Sequence, residues 1–286
     1  MSQECQTTLA AAVSLEGCGI HSGRECRVTL LPAETGYGVR FARTDLPGTP
    51  EIPAQIASLS EEPMMRRTIL RDGDVSVETV EHILAVLHGF GIDNARVEMT
   101  SAEPPIWDGS AKELAKLVGQ GGVKTLDGSE RKVFRVTRPV SFSPEDSPGV
   151  EFTAWPSDTL TLTYFLNYDH PVIGSKTVSF CITPEVTEKE IAPARTFCTE
   201  EEVAFLRSKG LIRGGNIDNA IVVGRSGILN TELLWPDELA RHKLLDFLGD
   251  LLLLGLPARG HFTAFRGGHH ANAQFIRYLR KEFSQA

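Results

Sequence analysis

The chain has 286 residues, of which 41% are hydrophobic and 23% are charged. This balance is ordinary for a folded globular protein and excludes a disordered one, and the length favours two domains. The formal net charge of -8 provides no basic surface for phosphate backbones, so we expect no nucleic-acid partner. Five scattered cysteines without a C-x-x-C pair indicate reduced thiols, as in a cytoplasmic protein, rather than a disulfide framework.

The apolar segments do not predict a targeting or membrane-spanning element. No basic flank precedes the short apolar run near the N-terminus, so a signal peptide is not expected. The longest apolar run, 244–256, is too short to span a bilayer and is interrupted by Asp246 and Asp250. We therefore expect no stable membrane insertion, and a lipid substrate would be met from the aqueous side.

The first half of the chain reads as a mixture of strands and helices. Alternating apolar and polar residues between glycines and prolines predict strands at 26–31, 39–43, 75–77 and 94–99. Apolar residues at helical spacing predict helices over 79–91, with Thr79 as N-cap, and over 110–119. The stretch 120–131 is rich in turn formers and charge and predicts a linker.

The second half repeats this plan. Strands are predicted at 133–136, 150–154, 160–167 and 261–265. A helix is predicted from Glu238 through a leucine run to Gly255. Each half thus places a histidine near the start of an apolar helix that runs into a strand. We expect an α+β protein of two related halves, each a sheet covered by helices, with the helices facing one another. This arrangement would bring His82 and His242 into one interface.

His242 and Asp246 are four residues apart on a predicted helix and therefore lie on one face, which Asp250 extends by another turn. A helix this apolar is buried, and a buried charge needs a partner or a metal. From this spacing alone, a buried ion pair and a metal site are equally good interpretations. His82, preceded by Glu81, favours the metal site.

Two histidines and one aspartate are a normal ligand set for catalytic zinc, with the fourth position open to water. Zinc lowers the pKa of bound water and polarises a carbonyl, and Glu81 could then act as general base. The alternative for Glu81 is an acidic residue that favours the helix dipole, which is common in a first turn.

The segment RGGHHAN (266–272) predicts a flexible loop after a strand, where reactive groups are often found. Either His269 or His270 could serve as general acid with Asp250 as its partner, although loop histidines are more often simply solvated.

Three further features have competing interpretations. Thr196 could donate to an oxyanion, but most threonines are structural. Lys243 could offer a charge to an anionic substrate or could be a snorkelling surface lysine. The glycine-rich GGNIDN (214–219) lacks phosphate-loop spacing and reads as a tight turn.

Taken together, several motifs resemble the UDP-3-O-acyl-N-acetylglucosamine deacetylase family, which catalyses the committed step of lipid A synthesis. The resemblance covers nearly the whole chain, and the combination in this order is far more specific than any one motif. The matching segments are GCGIHSG (17–23), TVEH (79–82), GIDNAR (91–96), PIWDGS (105–110), ARTF (194–197), GG (214–215), DNA (218–220), RHKLLD (241–246) and GD (249–250).

This resemblance implies a fold in which helices are sandwiched between two sheets, with one small insert in each half. On this chain the domains would be 1–124 and 132–286. The first insert, about 50–75, would close over the site, and the second, about 195–230, would form a hydrophobic passage for an acyl chain.

The resemblance also implies roles for individual residues. One Zn²⁺ per chain would be held by His82, His242 and Asp246. Catalysis would use Glu81 to activate water, His269 with Asp250 to protonate the amine, Thr196 to steady the oxyanion, and Lys243. The expected substrate-binding residues are Phe197, Lys243, Gly214, Met65 and Ile217. The implied partner is a lipid-tailed UDP-sugar, and we expect a cytoplasmic monomer.

Some residues depart from the family pattern. Arg66 and Arg67 stand where small or hydroxylic residues are usual, and Cys198 opens a polar stretch where aromatic residues are expected; Trp107 and His270 are also unusual. The two arginines motivate an alternative, a divergent zinc amidase acting on another acylated amino sugar. A non-catalytic zinc- or lipid-binding module is a third interpretation, although binding alone needs no general base.

Overall fold

The computed structural model describes residues 4–61 and 64–283. Residues 1–3, 62–63 and 284–286, which include the ends of both predicted domains and part of the first predicted insert, lie outside the described residues. None of the helices in the described part of the chain has the length and apolar character needed to cross a membrane.

The strands of the described residues run in chain order through both halves. They are β1 Cys5–Leu9, β2 Val13–Cys18, β3 Glu25–Pro32, β4 Val39–Arg43, β5 Glu51–Pro53, β6 Ile69–Asp72, β7 Val75–Glu78, β8 Ala95–Met99, β9 Val123–Glu130, β10 Phe134–Arg135, β11 Val140–Phe142, β12 Glu151–Trp155, β13 Leu160–Asn167, β14 Ser175–Cys181, β15 Phe197–Thr199, β16 Ile221–Gly224, β17 Gly227–Ile228 and β18 Ala258–Phe265.

The helices follow the same order. They are α1 Glu81–Gly89, α2 Lys112–Gly121, α3 Pro184–Val186, α4 Glu200–Ser208, α5 Glu238–Leu251 and α6 His269–Phe283, with a π-helical turn at Thr187–Ile191 and 3₁₀ turns at Ile56–Ser58 and Leu252–Leu254.

The two large sheets share one pairing scheme. The first has the order β2-β3-β8-β4-β5 and the second the order β11-β12-β18-β13-β14, with β10 added beside β18. In each, the central strand pairs antiparallel with one neighbour and parallel with the other, and both outer pairs are antiparallel. The prediction of two related α+β halves is confirmed by this common topology. The domain and insert boundaries remain predictions.

Helices α1 and α5 pack against each other in the middle of the molecule, and α5 also contacts β13 and β14. Every residue of α1 is buried. The close approach depends on Gly249, where an added Cβ would lie 2.1 Å from the carbonyl oxygen of Glu81. This contact sets the distance between the side chains that α1 and α5 present to each other.

Two small sheets lie beside this core. Strands β6 and β7 form a hairpin that leads into α1, and β15, β16 and β17 form a three-stranded sheet next to α4. Each small sheet precedes the central helix of its own half in sequence. Both therefore belong to the neighbourhood of the interface between α1 and α5.

The segment 120–131, predicted as a linker, has regular structure despite its turn-forming composition. Helix α2 continues to Gly121, and β9 then pairs antiparallel with β1. Partners for its backbone groups come from a strand more than 100 residues earlier in the chain, so tertiary pairing overrides the turn-forming composition.

The N-cap assigned to Thr79 is wrong. The residue before α1 is Val80, without a side-chain cap, and Thr79 has a left-handed backbone with φ of 55°. The Thr79 hydroxyl instead donates to a carboxylate oxygen of Glu103 at 3.0 Å. A buried acceptor from another part of the chain has replaced the local capping bond.

Candidate active site and metal centre

Three buried side chains converge where α1 meets α5. His82 is the second residue of α1, and His242 and Asp246 lie one turn apart on α5. One potential ligand atom from each residue lies within 4.8 Å of the other two. Sequence reasoning selected the same three residues, and the packing of the two helices brings them together.

The chemistry of this trio fits a divalent cation. The Nδ1 atom of His242 hydrogen-bonds the Ala194 carbonyl at 3.1 Å, which leaves Nε2 free, 3.5 Å from Oδ1 of Asp246. The Nε2 atom of His82 lies 3.9 Å from the same oxygen. A second-sphere carbonyl that fixes the ring is typical of metal-binding histidines.

The ionisation of the trio fits as well. Burial lowers the pKa of His82 to about 3 and lowers that of His242, so both rings are neutral. Burial opposes ionisation of Asp246, but Lys243 and the nearby histidines hold its pKa well below the ordinary range. Two neutral imidazoles and one carboxylate are the ligand forms that zinc binds.

Glu81 lies beside this trio and is itself buried. Its Oε2 atom accepts from the backbone N–H of Thr68 at 3.0 Å, and its Oε1 atom is 3.7 Å from Nε2 of His269. Burial raises the pKa of Glu81 to about 7, and the neighbouring carboxylates of Asp246 and Asp250 act in the same direction. A buried carboxyl group with a pKa near neutral pH suits a general base better than a residue that only interacts with the helix dipole.

The flexible loop expected around His269 is wrong, because His269 is the first residue of α6 and is buried. Its Nδ1 atom lies 3.0 Å from Oδ2 of Asp250, and its Nε2 atom faces the metal trio. Burial alone would lower the pKa of His269, but Asp250, Glu81 and Asp246 together raise it to about 9. The ring is therefore a protonated donor near neutral pH.

His270 points elsewhere. Its Nε2 atom is 2.9 Å from Oδ2 of Asp146, and its side chain is 42% exposed. The two adjacent histidines were alternatives from sequence, and the structure brings only His269 to the trio.

Sequence reasoning missed the partners that hold Asp250 in place. The Thr68 hydroxyl donates to Oδ1 of Asp250 at 2.5 Å, and the Asn272 amide donates to Oδ2 at 2.8 Å. No spacing rule links these three residues, although Thr68 lies in the first predicted insert and Asn272 ends the segment 266–272. Asp250 is thus an oriented carboxylate rather than a solvated one.

A cavity of about 50 Å³ opens onto the trio, and Thr196, Phe197 and Lys243 are among the residues that line it. Lys243 is not a surface lysine, because its Nζ atom lies 2.7 Å from Oδ2 of Asp246 and its side chain is only 11% exposed. The backbone N–H of Thr196 donates to the Gly109 carbonyl at 2.8 Å, which fixes the backbone of Thr196 at the cavity wall.

The other three predicted substrate residues do not line this cavity. Met65 is 41% exposed and Ile217 is 69% exposed. Ile217 lines an adjacent apolar groove, and Gly214 packs its backbone against Gly19 and Gly23. Their contact with a substrate stays a prediction.

Arg66, which motivates the alternative substrate, lines the cavity, and so does His21, for which the sequence indicates no individual role. Backbone N–H groups of His21 and Ser22 donate to the Glu103 carboxylate at 2.9 and 2.7 Å, which holds the His21 segment at the cavity wall. In the sequence, His21 is marked only by its place in GCGIHSG (17–23), one of the segments that resemble the family.

Comparison with known proteins identifies the family. The family model described as UDP-3-O-acyl N-acetylglycosamine deacetylase matches residues 6–281. The chain belongs to this deacetylase family. A UDP-3-O-acyl-N-acetylglucosamine deacetylase of Trichormus variabilis is 40% identical over 96% of this chain and 98% of its own length. Proteins of the same name from Nitratidesulfovibrio vulgaris and Pseudomonas entomophila are 41% and 39% identical, over 98% and 97% of this chain and 89% and 90% of their own lengths.

Membership in the deacetylase family confirms the resemblance drawn from the motifs and makes the chain a hydrolase of an amide bond. It accords with an α+β structure in which a metal-binding trio lies beside a carboxylate and a histidine.

Proposed function

We propose that this protein hydrolyses the N-acetyl group of UDP-3-O-acyl-N-acetylglucosamine in lipid A biosynthesis. The observation that carries the proposal is the convergence of His82, His242 and Asp246 beside Glu81 in a chain of the deacetylase family. A binding module would have no use for a buried carboxyl group with a pKa near neutrality beside such a trio.

The proposal includes one Zn²⁺ per chain, held by His82, His242 and Asp246. When bound, zinc supplies an activated water and polarises the acetyl carbonyl. The two free imidazole nitrogens and the ionised carboxylate support this ion. The buried Nδ1 atom of His82 lacks a hydrogen-bond partner among the described residues. A bound metal would orient the ring without such a partner.

Glu81 acts as the general base in this proposal. The Thr68 N–H fixes one of its carboxylate oxygens and leaves the other near the trio. From this position Glu81 can take a proton from the attacking water. Removal of a positioned base lowers turnover by about 10²–10⁴-fold in other enzymes.

His269 acts as the general acid, and Asp250 keeps it protonated and oriented. The Nε2 atom of His269 lies 3.7 Å from oxygens of both Glu81 and Asp246, so its proton reaches the reacting region. It would be delivered to the departing amine. Thr196 would donate its hydroxyl to the developing oxyanion from the opposite part of the cavity wall.

The substrate would be bound by the remaining cavity residues and by the groove beside them. Phe197 and Lys243 would contact the sugar nucleotide in the cavity. The apolar groove, of about 420 Å³, shares Ile20, Cys198 and Ile212 with the cavity and suits an acyl chain. Met65, Gly214 and Ile217 are further substrate contacts in the proposal.

The test is acetate release from a synthetic acylated UDP-N-acetylglucosamine, with and without a chelator. Glu81→Gln should lower kcat by about 10²–10⁴-fold while about one zinc per chain remains bound. Glu98→Gln, on β8 and paired with Arg96, is the matched control and should keep wild-type turnover. Near-wild-type turnover in Glu81→Gln would exclude the mechanism.

A second candidate is a zinc amidase that acts on another acylated amino sugar. The observation that favours it is Arg66, whose side chain lines the cavity. A panel of acylated amino sugars separates the two candidates, because turnover of another amide without acetate release from the UDP sugar selects the second.

A cytoplasmic location and a monomeric state complete the proposal. The cysteines of the described residues are all free thiols, which supports a reducing compartment. Sedimentation analysis of the purified protein tests the monomer.

A further inference from the structure

Two segments from different halves meet above the cavity. The first is Met64–Thr68, which precedes the β6–β7 hairpin, and the second is helix α4 beside the small sheet of the second half. The Arg66 guanidinium forms an ion pair with the Glu202 carboxylate of α4. The two side chains are only 24% and 34% exposed, so the pair is largely shielded from solvent.

His21 links Arg66 to Ile212, which lies four residues after the end of α4. One ring nitrogen accepts from the backbone N–H of Ile212 at 3.4 Å, and the ring also hydrogen-bonds the backbone carbonyl of Arg66. Arg66 is therefore held by its side chain and by its backbone. Its φ of 61° is a left-handed conformation that a residue with a Cβ keeps only where its surroundings hold it.

Few buried contacts fix the position of helix α4. Leu206 is its one buried residue, and its first turn is closed by the capping box between Thr199 and Glu202. One face carries Leu206, which lines the metal cavity, while Val203 and Ala204 line the apolar groove. The helix is thus a wall shared by both spaces.

Cys198 lies where the two spaces meet. Arg66 lines the cavity, and Cys198 lines both the cavity and the groove. A shift of α4 away from Arg66 would change the passage between the metal trio and the groove without moving the trio itself.

We propose that Arg66 and Glu202 form a clasp that fixes α4 as the common wall of cavity and groove, which makes Arg66 a positioning residue for the acyl chain. The acyl chain as occupant rests on the function proposed above. The clasp acts on a substrate whose chain reaches the groove and leaves the chemistry at the trio unchanged.

The capping box allows a clean variant. Glu202→Gln removes the charge that pairs with Arg66 but keeps a side chain that can accept from the Thr199 N–H. Glu201→Gln is the matched control, because Glu201 lies on the same helix and pairs with Arg225 in an exposed position.

The experiment compares steady-state kinetics with two substrates, one with a long 3-O-acyl chain and one with a short chain that ends before the groove. Glu202→Gln should raise KM for the long-chain substrate by about tenfold, with kcat and the short-chain KM unchanged. Glu201→Gln should change none of these values. The double variant Arg66→Met, Glu202→Gln should have the same long-chain KM as Arg66→Met alone, because both substitutions break the same ion pair. An unchanged long-chain KM in Glu202→Gln, or an equal rise for both substrates, would overturn the clasp.

A second measurement does not depend on activity. Backbone amides of 200–208 should exchange with deuterium faster in Glu202→Gln than in Glu201→Gln. Equal exchange in the two variants would overturn the clasp. Absence of turnover of both substrates by the wild-type protein would count against the proposed function alone, and the exchange measurement would still test the clasp.

Discussion

Asp250 lies directly behind His269, with its Oδ2 atom 3.0 Å from the imidazole Nδ1 atom. The hydroxyl of Thr68 and the amide of Asn272 fix the carboxylate from the other side. The pKa of His269 is raised to about 9, so near neutral pH both ring nitrogens are protonated: Nδ1 donates to Asp250, and Nε2 carries a proton toward the cavity. The charge of Asp250 therefore controls the pH at which His269 loses that proton.

Asp250→Asn should move the alkaline limb of the kcat/KM profile to lower pH. Burial lowers the pKa of His269, and the carboxylate of Asp250 is the largest of the effects that raise it to about 9. Without that charge the pKa falls, and because the acid must be protonated, activity is lost earlier on the alkaline side. The shift should be about one pH unit or more.

The matched control is Asp146→Asn, which removes the carboxylate from His270 instead. Its kcat/KM profile should follow the wild-type profile. An alkaline limb that stays in place in Asp250→Asn would show that Asp250 does not set the protonation of the acid.

The sequence was sufficient for the metal trio and for the two related halves. His242 and Asp246 are linked by helical spacing, and the repeated order of helix and strand places His82 against them. Local signals of this kind survive in the structure because α1 and α5 are apolar helices that bury each other in the middle of the molecule.

The contacts that complete the site could not be predicted, because they join distant residues without a spacing rule. Thr68 reaches Asp250 across 182 positions, and Arg66 reaches Glu202 across 136. The same limit explains the wrong cap at Thr79, whose hydroxyl is used by Glu103 rather than by its own helix. The choice of His269 over His270 likewise came from the family resemblance and not from a spacing rule, and the orientation of α6 agrees with it.

Gly249→Ala should separate the two central helices. An added Cβ would lie 2.1 Å from the carbonyl oxygen of Glu81 and 3.1 Å from the backbone nitrogen of Ala85, neither of which can move alone. The expected loss of unfolding free energy is about 1–3 kcal/mol, as for overpacked cores. Weaker zinc binding should accompany it, because α1 and α5 each supply ligands.

Gly119→Ala in α2 is the control for a helical glycine. Its added Cβ would meet no atom closer than 3.4 Å, so the variant should be as stable as wild type or more so by about 0.5–1 kcal/mol. Urea unfolding and zinc titration check both variants. Wild-type stability in Gly249→Ala would contradict the described closeness of the helices.

Thr196→Val should lower kcat while KM changes little. The substitution keeps the shape of the side chain and removes the hydroxyl that faces the cavity. Loss of one oxyanion donor reduces kcat by about 10²–10³-fold in other hydrolases. Thr199→Ser, which keeps the hydroxyl that caps α4, is the control and should retain wild-type kcat. Equal kcat in Thr196→Val and wild type would remove Thr196 from the mechanism.

His88→Gln should weaken the acid sensitivity of the folded state. The His88 ring is buried at the end of α1, and its Nδ1 atom lies 2.8 Å from the Leu248 carbonyl. Burial lowers its pKa to about 4, whereas an unfolded histidine titrates near 6.5. Between these values the unfolded chain binds more protons than the folded one, so the free energy of unfolding falls as pH falls.

From pH 7 to pH 5, His88 alone should account for about 2 kcal/mol of this loss, and His88→Gln should lack it. The other buried histidines contribute equally to both proteins, so the difference between the two urea-unfolding series isolates His88. His270→Gln, which alters a half-exposed ring, should keep the wild-type pH slope. Parallel slopes for His88→Gln and wild type would mean that His88 takes up its proton in the folded state, and that the Leu248 contact does not keep the ring neutral.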